Sequence, residues 1–162
     1  MRFLPVLLLL LVSCGGNLSD EQRRKLSERA KSDEIKRVTE GELMSAAFSY
    51  GRNIAEVLGK RDPALTNKVL IDSLEKAFNV NINLIIPGDS MALGIEQKLI
   101  EAYTSGADAG QVDLPDDIQK LETDSLIYTK PIVSERPDGT VEFTRALSIH
   151  MPTRSVVLSI ED

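Results

Sequence analysis

Three residues stand where side-chain chemistry could take place: Cys14, Ser90 and His150. Cys14 is the only cysteine of the chain and His150 its only histidine. A lone thiol excludes an intramolecular disulfide framework, a Cys-rich zinc site and a two-cysteine haem attachment. A lone imidazole can ligate haem iron or a transition metal, or titrate near neutral pH; its commoner role at a strand end is packing. Ser90 follows Gly88 and Asp89 just after an apolar run. A serine nucleophile needs a histidine to take its proton and an acid to orient that histidine, and three residues before His150 the chain has Leu147 rather than an acid. Ser73 and Lys76 match a Ser-x-x-Lys spacing that two residues satisfy by chance. Asp113, Asp116 and Asp117 crowd one loop, without the spacing of a calcium loop.

What precedes Cys14 gives it a role. Arg2 is followed by an apolar run from Phe3 to Val12, shorter than the about 20 residues that span a bilayer and fitting the apolar core of a secretory signal peptide. Leu11-Val12-Ser13-Cys14 resembles the lipobox of bacterial lipoproteins. That resemblance implies cleavage before Cys14, lipidation of its sulfur and acylation of the new N-terminus. Residues 1–13 are then a removed signal peptide, 14–18 the lipidated cysteine with a short tether, and 19–162 a single domain. Two or three acyl chains anchor a protein stably where one would not, so the expectation is a cell-envelope protein held at a membrane without a transmembrane helix. Gly15 occupies the place where, in enteric bacteria, aspartate signals inner-membrane retention, which favours the outer membrane, on either the periplasmic face or the cell surface.

Composition narrows the partners. The 162 residues include 19 Lys and Arg against 25 Asp and Glu, a formal charge of −6. Loss of the signal peptide removes Arg2 and no acid, leaving 18 against 25, or −7. Phosphate neutralisation needs clustered cations, so nucleic acid is not an expected partner.

The elements that would position these residues follow from periodicity. Ser19 and Gln22 form a capping box, and the absence of proline up to Leu58 predicts one long helix over Ser19–Leu58, bent at Gly41, with Gly51 a second weak point. Its first half is interleaved charge, read as a solvated face, with a dimer through this helix as the alternative. Leu43, Ala46, Ala47, Tyr50, Ile54, Val57 and Leu58 give the second half a core-facing stripe. A second helix over Thr66–Phe78 ends at Asn79, and a strand over Val80–Ile86 ends at Pro87-Gly88-Asp89. A short helix over Ile95–Tyr103 precedes strands at Ile118–Leu121, Leu126–Val133 and Thr140–Met151, turning at Thr123-Asp124-Ser125 and Pro137-Asp138-Gly139. Pro152–Ile160 reads as strand or helix. Helices gathered before an antiparallel meander predict an α+β domain with the helices on one face of the sheet.

Two family resemblances bear on function. Gly88-Asp89-Ser90 is superficially similar to the nucleophile block of the GDSL hydrolases, but it sits mid-chain without that family's downstream Gly and Asn blocks; a strand-ending turn explains it. Val38–Ile160 resembles a family of bacterial envelope domains with a PAS-like fold that carry c-type haem on a late Cys-x-x-Cys-His motif. The likeness rests on the long N-terminal helix, on Leu70-Ile71-Asp72-Ser73-Leu74-Glu75-Lys76-Ala77-Phe78-Asn79-Val80, on Leu99-Ile100, and on Tyr128-Thr129-Lys130-Pro131-Ile132 matching a Tyr-x-x-Pro-Ile strand. The family's Arg-Asn-Pro loop is replaced by Pro87-Gly88-Asp89-Ser90. Ala146-Leu147-Ser148-Ile149-His150 overlays the haem-attachment motif without its cysteines, so covalent haem is chemically excluded. The resemblance implies a lipid-anchored, non-enzymatic module for sensing, for binding a small apolar ligand or for meeting an envelope protein, with no resident cofactor. The alternatives are a non-covalent haem or redox protein using His150, and an envelope hydrolase using Ser90.

Overall fold

The computed structural model describes residues 19–25, 38–122 and 124–161. Cys14 and its apolar run lie outside them, as does most of the charged stretch read as a solvated face or dimer helix. The chain divides into two compact units, Met1–Arg37 and Val38–Asp162. In the first, the expected capping box is present: Ser19 N–H donates to Gln22 Oε1 at 3.1 Å, Gln22 N–H donates to Ser19 Oγ at 3.3 Å, and residues 20–25 are helical.

The expected helix over Ser19–Leu58 is not continuous, because Val38 and Thr39 are non-helical and a helix, α1 (Glu40–Arg61), begins after them. Thr39 is its N-cap: Thr39 N–H donates to Glu42 Oε2 at 2.9 Å and Glu42 N–H donates to Thr39 Oγ1 at 3.3 Å. This second capping box starts a new helix, with Glu40 and Glu42 in its first turn and Lys60 and Arg61 in its last complementing the dipole. Gly41 is therefore a first-turn residue rather than a bend.

Asp62 stops α1 and accepts from the N–H groups of Thr66 and Asn67, both at 2.6 Å. Helix α2 (Lys68–Phe78) follows, capped by Asn67 and ended by Asn79 in the left-handed conformation, as its sequence predicts. Leu74 is its buried residue, and Val69 is exposed. The remaining elements are β1 (Asn81–Ile85), α3 (Gly94–Asp108), β2 (Asp117–Leu121), β3 (Ser125–Glu135), β4 (Val141–Pro152) and α4 (Thr153–Glu161). Pro152 thus closes a strand and leads into a helix, resolving the ambiguous tail in favour of proline's tolerance next to a helix start.

The four strands form one antiparallel sheet in the order β1-β4-β3-β2. The fold class is α+β, but the helices cover both faces rather than one. Ile82, Leu126, Tyr128, Leu147, Ile149 and Met151 face a core shared with Leu43, Ala47, Ile54 and Leu58 of α1, Leu74 of α2 and Val156 of α4. Strand side chains alternate, and the opposite face packs Ile85, Phe143 and Ala146 against Ile100, Tyr103 and Ala107 of α3. Phe143 and Ala146 share that side because the pairing passes from Ile132↔Arg145 to Val133↔Phe143, leaving Thr144 as a bulge residue that inverts the alternation. On the outer edge of β1, Ile82 N–H donates to Glu75 Oε1 of α2 at 2.7 Å.

Helix α1 sits on the sheet at Gly51. A Cβ there would lie 2.4 Å from Tyr128 Cγ, inside van der Waals contact. Gly51→Ala should therefore destabilise the domain by about 1–3 kcal/mol despite alanine's better helix propensity. Chemical denaturation measures this, and an unchanged or raised midpoint would contradict the close packing.

Candidate functional site

Helix α3 starts with an unusual cap. Leu93 at the N-cap offers no side-chain acceptor, so Glu96, three residues on, turns back and accepts from Leu93 N–H at 2.7 Å. That turn carries the carboxylate inward, and Glu96 is 4 % exposed. Its second oxygen, Oε1, accepts from Ser148 Oγ at 2.6 Å and meets His150 Nε2 at 2.9 Å. Burial alone would push this carboxyl up. The hydrogen bonds from His150, Ser148 and Leu93, with the charge His150 carries when protonated, outweigh it and hold Glu96 below the ordinary glutamate range. Charge-assisted bonds of this kind contribute about 1.5–3 kcal/mol each, and here they fasten the start of α3 to an inner strand.

His150 lies on the α3 side of β4, opposite Asn81 and Ile127 in the register. Its side chain is 26 % exposed. With Nε2–H donated to the carboxylate, the neutral ring keeps a lone pair on Nδ1. Beside it opens a groove of about 310 Å³ lined by Asn83, Asp89, Met91, Leu93, Glu96 and His150. Met91 and Leu93 form an exposed apolar rim, and Glu96 forms the polar wall.

The polar surface continues beneath α3. The residues paired across all four strands at this level are Asn83, Ser148, Thr129 and Asp117. Ser148 and Thr129 are buried. Asp117 accepts from Gln119 Nε2 at 2.8 Å. From α3 itself comes Tyr103, buried and tilted against Phe143 with ring centroids 5.6 Å apart. Burial, with the charges of Asp117 and Asp116, pushes its phenol well above the ordinary tyrosine value, so it stays protonated.

The other residues marked in the sequence are dispersed. Ser90 lines a separate groove of about 480 Å³ with Asp89, Gln97, Glu101 and Thr104. Among the described residues no hydrogen bond joins Ser90 to His150, whose Nε2 is engaged by Glu96. Ser148 bonds directly to the carboxylate and not to the imidazole, so it forms no Ser-His-acid relay either. Ser73 and Lys76 are exposed on α2. Asp113 is exposed, whereas Asp116 accepts from Tyr128 Oη at 2.5 Å and pairs with Arg52 Nε at 3.5 Å on the α1 side. Among the described residues no group of three or more His, Cys, Asp or Glu could hold a metal ion.

Sequence reasoning found His150 and missed Glu96, Tyr103 and Thr129. The signal for Glu96 was present: Glu96, Ile100, Tyr103 and Ala107 are the buried positions of α3, so an acid occupies its apolar stripe. No protein-family model matches the chain, and comparison with curated proteins and with solved structures found no match.

The geometry gives a pH dependence. A carboxyl whose folded pKa is depressed contributes stability above its unfolded value, and that contribution is lost as pH falls through the folded one. Acid titration of the domain should show stability declining through and below the ordinary glutamate range. Glu96→Gln should flatten that decline while costing about 1–3 kcal/mol at pH 7, through the weakened bonds to buried Ser148 and Leu93; an equally steep acid limb in the variant would exclude Glu96 as its source.

Proposed function

We propose that this chain is a lipid-anchored bacterial envelope protein whose PAS-like α+β domain is a non-enzymatic sensory or ligand-binding module. The observation that carries the reading is the side of the sheet beneath α3. Its centre is a buried Glu96 carboxylate fixed to Ser148 and His150, it opens to a groove with an apolar rim, and it continues into buried hydroxyls. An apolar pocket wall with a few convergent polar groups is the usual composition of a small-molecule site. Helices over a sheet whose first strand pairs with its last support the PAS-like reading. Fold likeness by itself establishes no activity, so the assignment rests on the site.

Membrane attachment comes from the lipobox-like end at Cys14, and no helix among the described residues is long and apolar enough to cross a membrane. The outer membrane is the favoured location. Contact with an envelope protein partner is compatible with this reading, and nucleic acid is not, given the acidic charge.

Two measurements test it. A fatty-acid analogue should label the wild-type chain and not Cys14→Ala; label retained in the variant would remove the anchor. A mass spectrum of the native, membrane-extracted protein should show the diacyl or triacyl mass together with a retained small molecule.

Non-covalent haem is the competing reading: the bond to Glu96 engages His150 Nε2 and leaves Nδ1 as the nitrogen for iron. Haemin added to the purified chain should give no Soret shift that depends on His150; a spectrum abolished by His150→Ala would establish the haem protein instead.

A further inference from the structure

Two hydroxyls beneath α3 are left unsatisfied. Tyr103 Oη and Thr129 Oγ1 are fully buried and, among the described residues, neither has a hydrogen-bond partner. Tyr103 is 5 % exposed and Thr129 is 1 % exposed. Native proteins pair such groups with protein, water or ligand, because leaving them unmade is costly.

The two belong to one region. Thr129 is the cross-strand partner of both Ser148 and Asp117, and the Asp117 charge acts on the Tyr103 phenol. Adjacent strands lie about 4.8 Å apart, so Thr129 stands one strand from Ser148, which holds Glu96, and one strand from Asp117. A carboxylate therefore flanks Thr129 on each side. On this side of the sheet neither lysine nor arginine occurs in any of the four strands. Glu96 and Asn83 also line the open groove beside His150.

A complementary ligand must donate hydrogen bonds and carry positive charge, and an anionic group on it would meet two carboxylates and no lysine or arginine of the strands. We propose that the polar strip under α3 binds a small linear diamine, one ammonium group meeting Glu96 and the other Asp117, with Tyr103 Oη and Thr129 Oγ1 accepting from the ammonium N–H groups. The proposal rests on the ligand-binding reading above and names the chemical class of its ligand.

Isothermal titration of the full-length chain in detergent with 1,4-diaminobutane tests it, beside 1,4-butanediol and 4-aminobutanoate as probes of similar length. The diamine should bind saturably with one site, and the diol and the amino acid at least tenfold more weakly. Thr129→Val and Tyr103→Phe should each weaken diamine binding at least tenfold. Both remove an unpaired hydroxyl at nearly constant shape, so the melting temperature of the ligand-free variants should hold or rise.

Absence of diamine binding, or diamine binding that both variants leave unchanged, would overturn the proposal. So would variants that melt lower while the titration is unaltered, since the hydroxyls would then hold an ordered water only. If the diamine fails while the native mass spectrum shows a different retained molecule, the ligand class is wrong and the ligand-binding reading stands. If the diamine fails and the native protein retains nothing, both fall.

Discussion

The packing of α1 on the sheet depends on the absence of one methyl group. Tyr128 is fully buried in β3, and its ring lies against the Gly51 backbone where any side chain would intrude. The neighbours of Gly51 complete the socket. Phe48 meets the Tyr128 ring edge-on at 5.8 Å between centroids, and the Arg52 guanidinium lies 4.6 Å over Phe48 while pairing with Asp116, which holds the Tyr128 hydroxyl. One tyrosine thus has its ring clamped by a helix and its hydroxyl held by a carboxylate. With that face closed, Leu126, Leu147, Ile149 and Met151 share a continuous apolar core.

The two faces of the sheet do different work as a result. The α1 side is the dry side and holds the larger core. The α3 side carries a smaller apolar cluster around Phe143 and Ala146 next to the Glu96, Ser148 and His150 network. Burial of an ionised carboxylate is tolerated only where donors compensate for lost water, and Glu96 has three: a backbone N–H, a serine hydroxyl and an imidazole. The same donors orient His150 and fix where α3 begins. Position and polarity in this site are therefore set by one side chain.

Much of the architecture was legible in the sequence. Asn79 ends α2 where its tolerance of the left-handed region predicts, and the Pro137-Asp138-Gly139 turn and the meander strands fall close to their expected places. The break before α1 was written as Thr39-x-x-Glu42 but was masked by the absence of proline across the charged stretch. Coverage of both sheet faces had a signal too, because Leu126-Ile127-Tyr128 and Ala146-Leu147 are continuously apolar, as in strands buried on both sides. Gly51 read as a weakness in a helix, since nothing local reveals that a tyrosine 77 positions later needs its place. His150 could be singled out as the only histidine, but its partner Glu96 lies 54 positions away and becomes its neighbour only through the fold. Contacts of that sequence separation leave no local pattern.

The bond from Ile82 to Glu75 has a consequence for how the molecule behaves among its copies. Strand β1 is an edge of the sheet, and an edge presents unpaired amides that a second chain can extend. Lipid anchoring would confine many copies to a plane and raise their local concentration, which favours such edge-to-edge growth. By lending a carboxylate to the outward amide of Ile82, α2 occupies the middle of a short template and puts a negative charge beside it. The helix that packs on the core thereby also acts as a guard against strand-by-strand polymerisation.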